Sequence, residues 1–197
     1  MKTKVNGQWR DFSDGWAKVN GVWRQITDAF TKVGGLWKPV YQLSSIVPLY
    51  TEGVENVLWV PGYAQDAGVQ SKESNHLYIE GAVANLFNTQ GERAYVTDAL
   101  IDLTHINTLY IDWEKTATPY EIYANTYGTF VVSTNKMGDR ETRTAWFTDR
   151  GVWSRRINTI NVSSLSGHYY IRVHARTGAS LEDYPSKVKV YKVWGER

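Results

Sequence analysis

The chain contains no cysteine, which excludes disulfides and thiolate metal sites at once. It also lacks any apolar run near the roughly 18 residues that a bilayer-spanning helix needs. Its opening, Met1-Lys2-Thr3-Lys4, is charged and polar, with no apolar stretch of a signal peptide behind it. Synthesis and folding in a cytoplasm are therefore expected, with no membrane partner. Charge of one sign is scarce as well: the net is only +2. No basic run or reader motif accompanies it, so nucleic acid is not an expected partner.

Catalytic signatures are equally absent. There is no Gly-x-Ser-x-Gly, no His-Glu-x-x-His, no phosphate-cradling glycine loop and no calcium loop. The four histidines are His76, His105, His168 and His174. The last two would lie about 20 Å apart along a strand, too far to share an ion. The pairs Asp112/Glu114 and Asp139/Glu141 could serve a glycosidase only if a cleft set them across from partners, which spacing alone does not show. The expectation is a binding or assembly protein, not an enzyme, with no cofactor and no metal.

Aromatic residues are abundant: nine Trp, thirteen Tyr and five Phe. Such residues suit a pleated, half-buried surface, and their number leans the chain towards sheet. The clearest pattern is a threefold repeat. Lys4-Val5-Asn6-Gly7-Gln8-Trp9-Arg10, Lys18-Val19-Asn20-Gly21-Val22-Trp23-Arg24 and Lys32-Val33-Gly34-Gly35-Leu36-Trp37-Lys38 align without gaps, 14 residues apart. Asn-Gly and Gly-Gly accept positive φ at both central positions of a type I′ turn, so each copy reads as a tight hairpin. That geometry places Val19 opposite Val22 and Lys18 opposite Trp23, a close lysine–indole pair that recurs as Lys4/Trp9 and Lys32/Trp37. Residues 1–42 carry seven Lys or Arg against three Asp, a net of +4, while the remainder is at −2.

A ribbon of three hairpins is too thin to bury much. It must cover itself on the rest of the chain, on sister copies or on another protein. Trp9, Trp16, Trp23, Phe30 and Trp37, which recur in register, are the expected interface or packing anchors.

After Gln42 the repeat stops, and Leu43–Pro48 reads as a connection. Short strands punctuated by Gly, Asn, Asp and Pro follow: Val57–Val60, His76–Ile79, Thr108–Glu114, Glu121–Ala124, Thr129–Ser133, Thr144–Phe147, Tyr169–Ala175 and Lys187–Val193. No helical period is sustained. The expected fold is all-β: hairpin repeats over 1–42, then an antiparallel, jelly-roll-like β-sandwich over 43–197. In the stretch 167–176, Tyr169, Ile171, Val173 and Ala175 are predicted to face the core. His168, Tyr170, Arg172, His174 and Arg176 then share the other face. That row could bind a sugar or an anion, and it could equally be the solvated or subunit-facing side of a sheet.

The repeat residues resemble a short module of tailed-bacteriophage structural proteins, found in tail, baseplate and fibre components. Three later stretches are similar to a β-sandwich module of such proteins: Ile101–Trp113, Asn161–Val173 and Lys187–Tyr191. The resemblance implies a virion protein: a homo-oligomer, such as a trimer, partnered by other virion proteins, with a host surface glycan as a further partner. Its variants are a capsid decoration or head-fibre protein and a carbohydrate-binding module of a cell-wall-associated protein. It supplies no catalytic residues. The stretch Gly15–Trp23 also resembles choline-binding cell-wall repeats. Arg24-Gln25-Ile26 stands where those carry consecutive aromatics.

Overall fold

The structure is a computed structural model. It describes residues 2–5, 8–11, 16–25, 28–33, 36–42, 46–65, 67–82, 90–116, 126–139, 141–178 and 185–197. The chain divides into two units, Met1–Ser45 and Ile46–Arg197.

Among the described residues the first unit is built from three hairpins, each pairing with itself: β1 (Lys2–Val5) with β2 (Gln8–Asp11), β3 (Trp16–Val19) with β4 (Val22–Gln25), and β5 (Asp28–Val33) with β6 (Leu36–Gln42). The register is the one the turn chemistry dictates. Lys4 is opposite Trp9, Lys18 opposite Trp23, Lys32 opposite Trp37, and Val19 opposite Val22. In the middle hairpin Asn20 has φ 50° and Gly21 φ 82°, the left-handed pair that a type I′ turn requires. Beside it Val22 and Trp23 are exposed, at 59% and 64%.

The second unit is a two-sheet sandwich of thirteen strands among the described residues, without a helix. One sheet runs β10 (Gly68–Lys72), β11 (Leu77–Gly81), β19 (Ser186–Glu196), β14 (Thr108–Thr116), β17 (Trp153–Asn161). To it β7 (Ile46–Thr51) adds against the C-terminal half of β19, continuing into β8 (Val54–Glu55). The other sheet runs β16 (Ala145–Arg150), β15 (Thr126–Ser133), β18 (His168–Gly178), β12 (Gln90–Thr97), β9 (Trp59–Gln65), with β13 (Ile101–Asp102) on the start of β18. All the pairings are antiparallel.

Alternation builds the core. Leu109, Ile111 and Trp113 of β14 meet Ile171, Val173 and Ala175 of β18 in one cluster with Val188, Val190 and Val193 of β19. Ile171, Val173 and Ala175 are buried as expected, and Tyr169 packs at the cluster's margin. At about 25 cal/mol per Å² of apolar surface removed from water, this cluster is the main stabilising term of the sandwich.

Two sequence expectations need correction. Residues 46–48 are not part of a connection but the beginning of β7. Pro48 cannot donate to a ladder, which disguises a strand, but here it sits where β7 is irregular against β19, a place sheets tolerate proline. Strands β8, β10, β12, β13 and β17 lie outside the eight segments that read most clearly as strands. β17 (Trp-Ser-Arg-Arg-Ile-Asn-Thr-Ile-Asn) packs polar residues towards both faces and hides its period. The expected strand Glu121–Ala124 lies outside the described residues.

Candidate functional site

Two register shifts shape the outer face of the first sheet. Asp112 pairs with Lys192 but Trp113 with Val190, so Tyr191 is an extra residue. Val190 and Val193 both point into the core, which leaves Tyr191 and Lys192 together on the outer side, followed by Trp194 and Glu196. On β7 the effect is reversed. Val193 pairs with Tyr50 and Trp194 with Pro48, so Leu49 is the extra residue, and Leu49 and Tyr50 both turn inward.

Over the outer face of β7, β19, β14 and β17 lies a groove of about 380 Å³. Ile46, Pro48, Ile157 and Trp194 give it apolar walls, and Thr51, Asp112, Lys192 and Glu196 supply its polar groups. Ile46 and Ile157 are both about half exposed, at 49% and 57%. One face of the Trp194 indole is stacked on Tyr110, with centroids 5.0 Å apart and planes 6° from parallel. The indole is thus fixed before any ligand arrives, which lowers the ordering cost of binding.

The polar groups are fixed too. Arg155 donates from Nε to both oxygens of Asp112, at 3.0 and 3.1 Å, and from Nη2 to Oδ2 at 2.7 Å. The same Nη2 donates to Glu52 Oε1 at 3.3 Å, and the guanidinium lies 4.0 Å over the Tyr191 ring. Hydrogen bonding to Asp112 above all, with Glu52 adding to it against the pull of burial, raises the pKa of Arg155 further above its ordinary range. Lys192 Nζ makes an ion contact to Glu52 Oε1 at 3.5 Å. Glu196 accepts from the Tyr110 hydroxyl at 2.9 Å and from Trp194 Nε1 at 3.4 Å. Further along, Glu114 takes Lys189 at 2.8 Å. Burial would raise its pKa, but hydrogen bonds from Lys189 and Tyr191 outweigh this and hold it below the usual range.

The row expected on β18 is not one open face. His168 is exposed, Tyr170 is half-buried with Lys136 Nζ 5.9 Å over its ring, and Arg176 is half-buried. Arg172 and His174 are fully buried. The guanidinium of Arg172 donates to the carbonyls of Gly138 and Thr142, so the segment between β15 and β16 is tied across the strand. Asp139 caps that segment by accepting from the N–H groups of Glu141 and Thr142, at 3.1 and 3.0 Å. His174 Nδ1 meets Glu92 Oε1 at 2.6 Å, both buried. Burial lowers the His174 pKa despite this carboxylate. These two residues are structural supports here, and the five do not form a common ligand surface.

Of the expected anchors, Trp23 is exposed. The side chains of Trp9, Trp16, Phe30 and Trp37 lie outside the described residues. The groove residues Pro48, Ile157, Lys192 and Trp194 were missed by the sequence reading. A signal for them was available on β19, where the buried valines change phase from Val188 and Val190 to Val193, the mark of an inserted residue.

No protein-family model matches the chain, and no curated protein does. Several solved structures are similar. One is a family 29 carbohydrate-binding module from Piromyces equi, at 14% identity and TM-score 0.42, covering 77% of this chain and 90% of that one. Another is TmCBM27, a carbohydrate-binding module described by its mannan recognition, at 10% identity and TM-score 0.41, covering 71% and 89%. A third is an agarase, AgWH50C, at 8% identity and TM-score 0.45, covering 77% of this chain and 24% of that one. At these identities and scores nothing of those proteins' ligands transfers to this chain.

Proposed function

We propose that this chain is a non-catalytic binding protein whose sandwich takes up carbohydrate in the groove on the first sheet, with the hairpin unit serving attachment. The observation that carries this is the groove's division of labour: apolar walls that include a fixed indole, and a few polar groups held in place by partners of their own. A sugar ring has the matching anatomy, with C–H faces that suit an aromatic wall and hydroxyl edges that both donate and accept. Mostly apolar concavities with a few fixed polar groups are the usual form of small-ligand sites.

The carboxylates Asp112 and Glu114 already have partners in the fold: Asp112 is clamped by Arg155 and Glu114 by Lys189, an arrangement unlike two carboxyls facing each other across a cleft. Attachment through the hairpins agrees with the exposure of Val22 and Trp23 beside a rigid turn. It also agrees with the resemblance of the repeats to phage structural modules, which makes a virion the expected setting.

The test is calorimetric or NMR titration of the protein against a panel of oligosaccharides. Trp194→Ala should weaken the best ligand by at least about tenfold, the scale of an aromatic anchor, while the unfolding midpoint moves little. Equal binding by Trp194→Ala would move the site elsewhere. Release of reducing ends by the wild type, abolished in Asp112→Asn, would make the protein an enzyme.

A further inference from the structure

The turn between β7 and β8 stands at the rim of the groove, and its residues are unusual. Thr51 pairs with Val54, leaving Glu52 and Gly53 as the two central residues, at φ 45° and 90°. Left-handed backbone at the first of these positions suits Asn or Gly and is unfavourable for Glu. The strain is held by good local bonds. Glu52 N–H donates to the Tyr191 carbonyl at 2.7 Å, and Gly53 N–H donates to the Tyr50 hydroxyl at 3.0 Å. A side chain at Gly53 would collide with the Ser74 backbone. Strained residues of this kind concentrate at functional sites, and the useful direction of inference runs from the outlier to the function.

The Glu52 side chain supplies what an Asn or Gly would not. Its carboxylate is shared by Arg155, at 3.3 Å, and Lys192, at 3.5 Å. Among the described residues these are the cations at the groove, and Arg155 is already committed to Asp112. Without Glu52, the two cations would face only Asp112 and Glu196, and Lys192 would lose its carboxylate contact beside an apolar wall, open to a ligand carboxylate or sulfate. With it, Arg155 and Lys192 are set against Asp112, Glu52 and Glu196, three carboxylates to two cations, which leaves the groove negative.

We infer that Glu52 is a specificity-determining residue: it occupies Lys192 and tips the groove to negative charge, so that neutral glycans are accepted and acidic ones refused. This rests on the carbohydrate reading of the groove. Refusal by a like charge is a common way of building selectivity without adding affinity for the correct ligand.

The test compares the wild type with Glu52→Asn, using neutral gluco-, manno-, galacto- and xylo-oligosaccharides and, as acidic probe, oligogalacturonate. Asn accepts the turn geometry readily, so the variant should unfold no more easily than the wild type. The wild type should bind a neutral probe with an affinity unchanged between low and high salt. Glu52→Asn should raise the ratio of oligogalacturonate affinity to neutral-probe affinity at least about fivefold at low salt, a gain lost again at high salt. The inference is overturned, with the carbohydrate reading intact, if the wild type prefers oligogalacturonate or if Glu52→Asn gains nothing for it. If no probe binds the wild type, the carbohydrate reading itself fails.

Discussion

The two outer faces of the sandwich carry similar residues to opposite ends. Each has an arginine, carboxylates and tyrosines beside a tryptophan or histidine. On the first sheet Arg155 remains 43% exposed and joins Asp112 and Glu52 at the margin of an open groove. On the second, Arg172 is fully buried and spends both Nη groups on backbone carbonyls of a crossing segment. Guanidinium chemistry is the same in both places, and the covering segment decides whether it stays at the surface or is spent on stability. A polar row on a strand is therefore not by itself a binding face.

Deleting each arginine should separate the two roles. Arg172→Ala removes a buried cation that two carbonyls depend on, and breaking such buried sets costs about 3 kcal/mol or more. Urea unfolding should show that loss, and amide exchange should show residues 134–144 freed. Arg155→Ala should cost under about 1 kcal/mol, as half-exposed ion pairs do, while altering ligand preference. Comparable stability losses in the two variants would erase the distinction between the faces.

Acid should find the closed face first. His174 has a folded-state pKa below the ordinary 6.5, because burial penalises its charged form. The unfolded chain therefore takes up this proton at a higher pH than the native protein does. Stability contributed by neutral His174 is fully present above pH 6.5. It falls as pH drops below 6.5 towards the folded pKa, with a slope of at most about 1.4 kcal/mol per pH unit for one proton. Unfolding free energies measured at steps from pH 7.5 downwards should show this slope, and His174→Gln should flatten it. An unchanged slope in His174→Gln would assign the acid sensitivity to the carboxylates instead.

What the sequence made legible follows from the range of the interactions involved. The hairpins are local: Asn20-Gly21 fixes its own φ values, and Lys18 must then face Trp23. The alternation of Leu109, Ile111 and Trp113 likewise announces a strand with one buried face. The groove depends on pairing between strands far apart in the chain. Asp112 meets Arg155 from β17, and Trp194 meets Pro48 from β7. Only the phase change on β19 hinted that two neighbouring residues would share the outer side. The error over Arg172 and His174 has the same origin, since Arg172 is tied to the β15–β16 connection and His174 to Glu92 of β12. An alternating pattern gives the side a residue faces, and the cover over that side comes from elsewhere in the chain.

The smallest effect on stability is expected at Trp23 in the first unit, and set beside Asn20 it sharpens the contrast between a residue that folds and one that binds. Trp23 is 64% exposed, so Trp23→Ala removes little buried surface and should cost under about 0.5 kcal/mol. Asn20 sits at φ 50°, where alanine is disfavoured by about 1–2 kcal/mol. In a purely structural hairpin Asn20→Ala is therefore the more harmful change. In a docking hairpin the order reverses for assembly: loss of the indole removes a binding anchor, while the turn change leaves the indole in place. Amide exchange of the hairpin gives the first ordering, and incorporation of each variant into particles or sister-subunit complexes gives the second. Trp23→Ala should leave exchange nearly unchanged and reduce incorporation most. If both variants assemble at wild-type occupancy, the exposed indole is not an anchor and attachment must run through other residues.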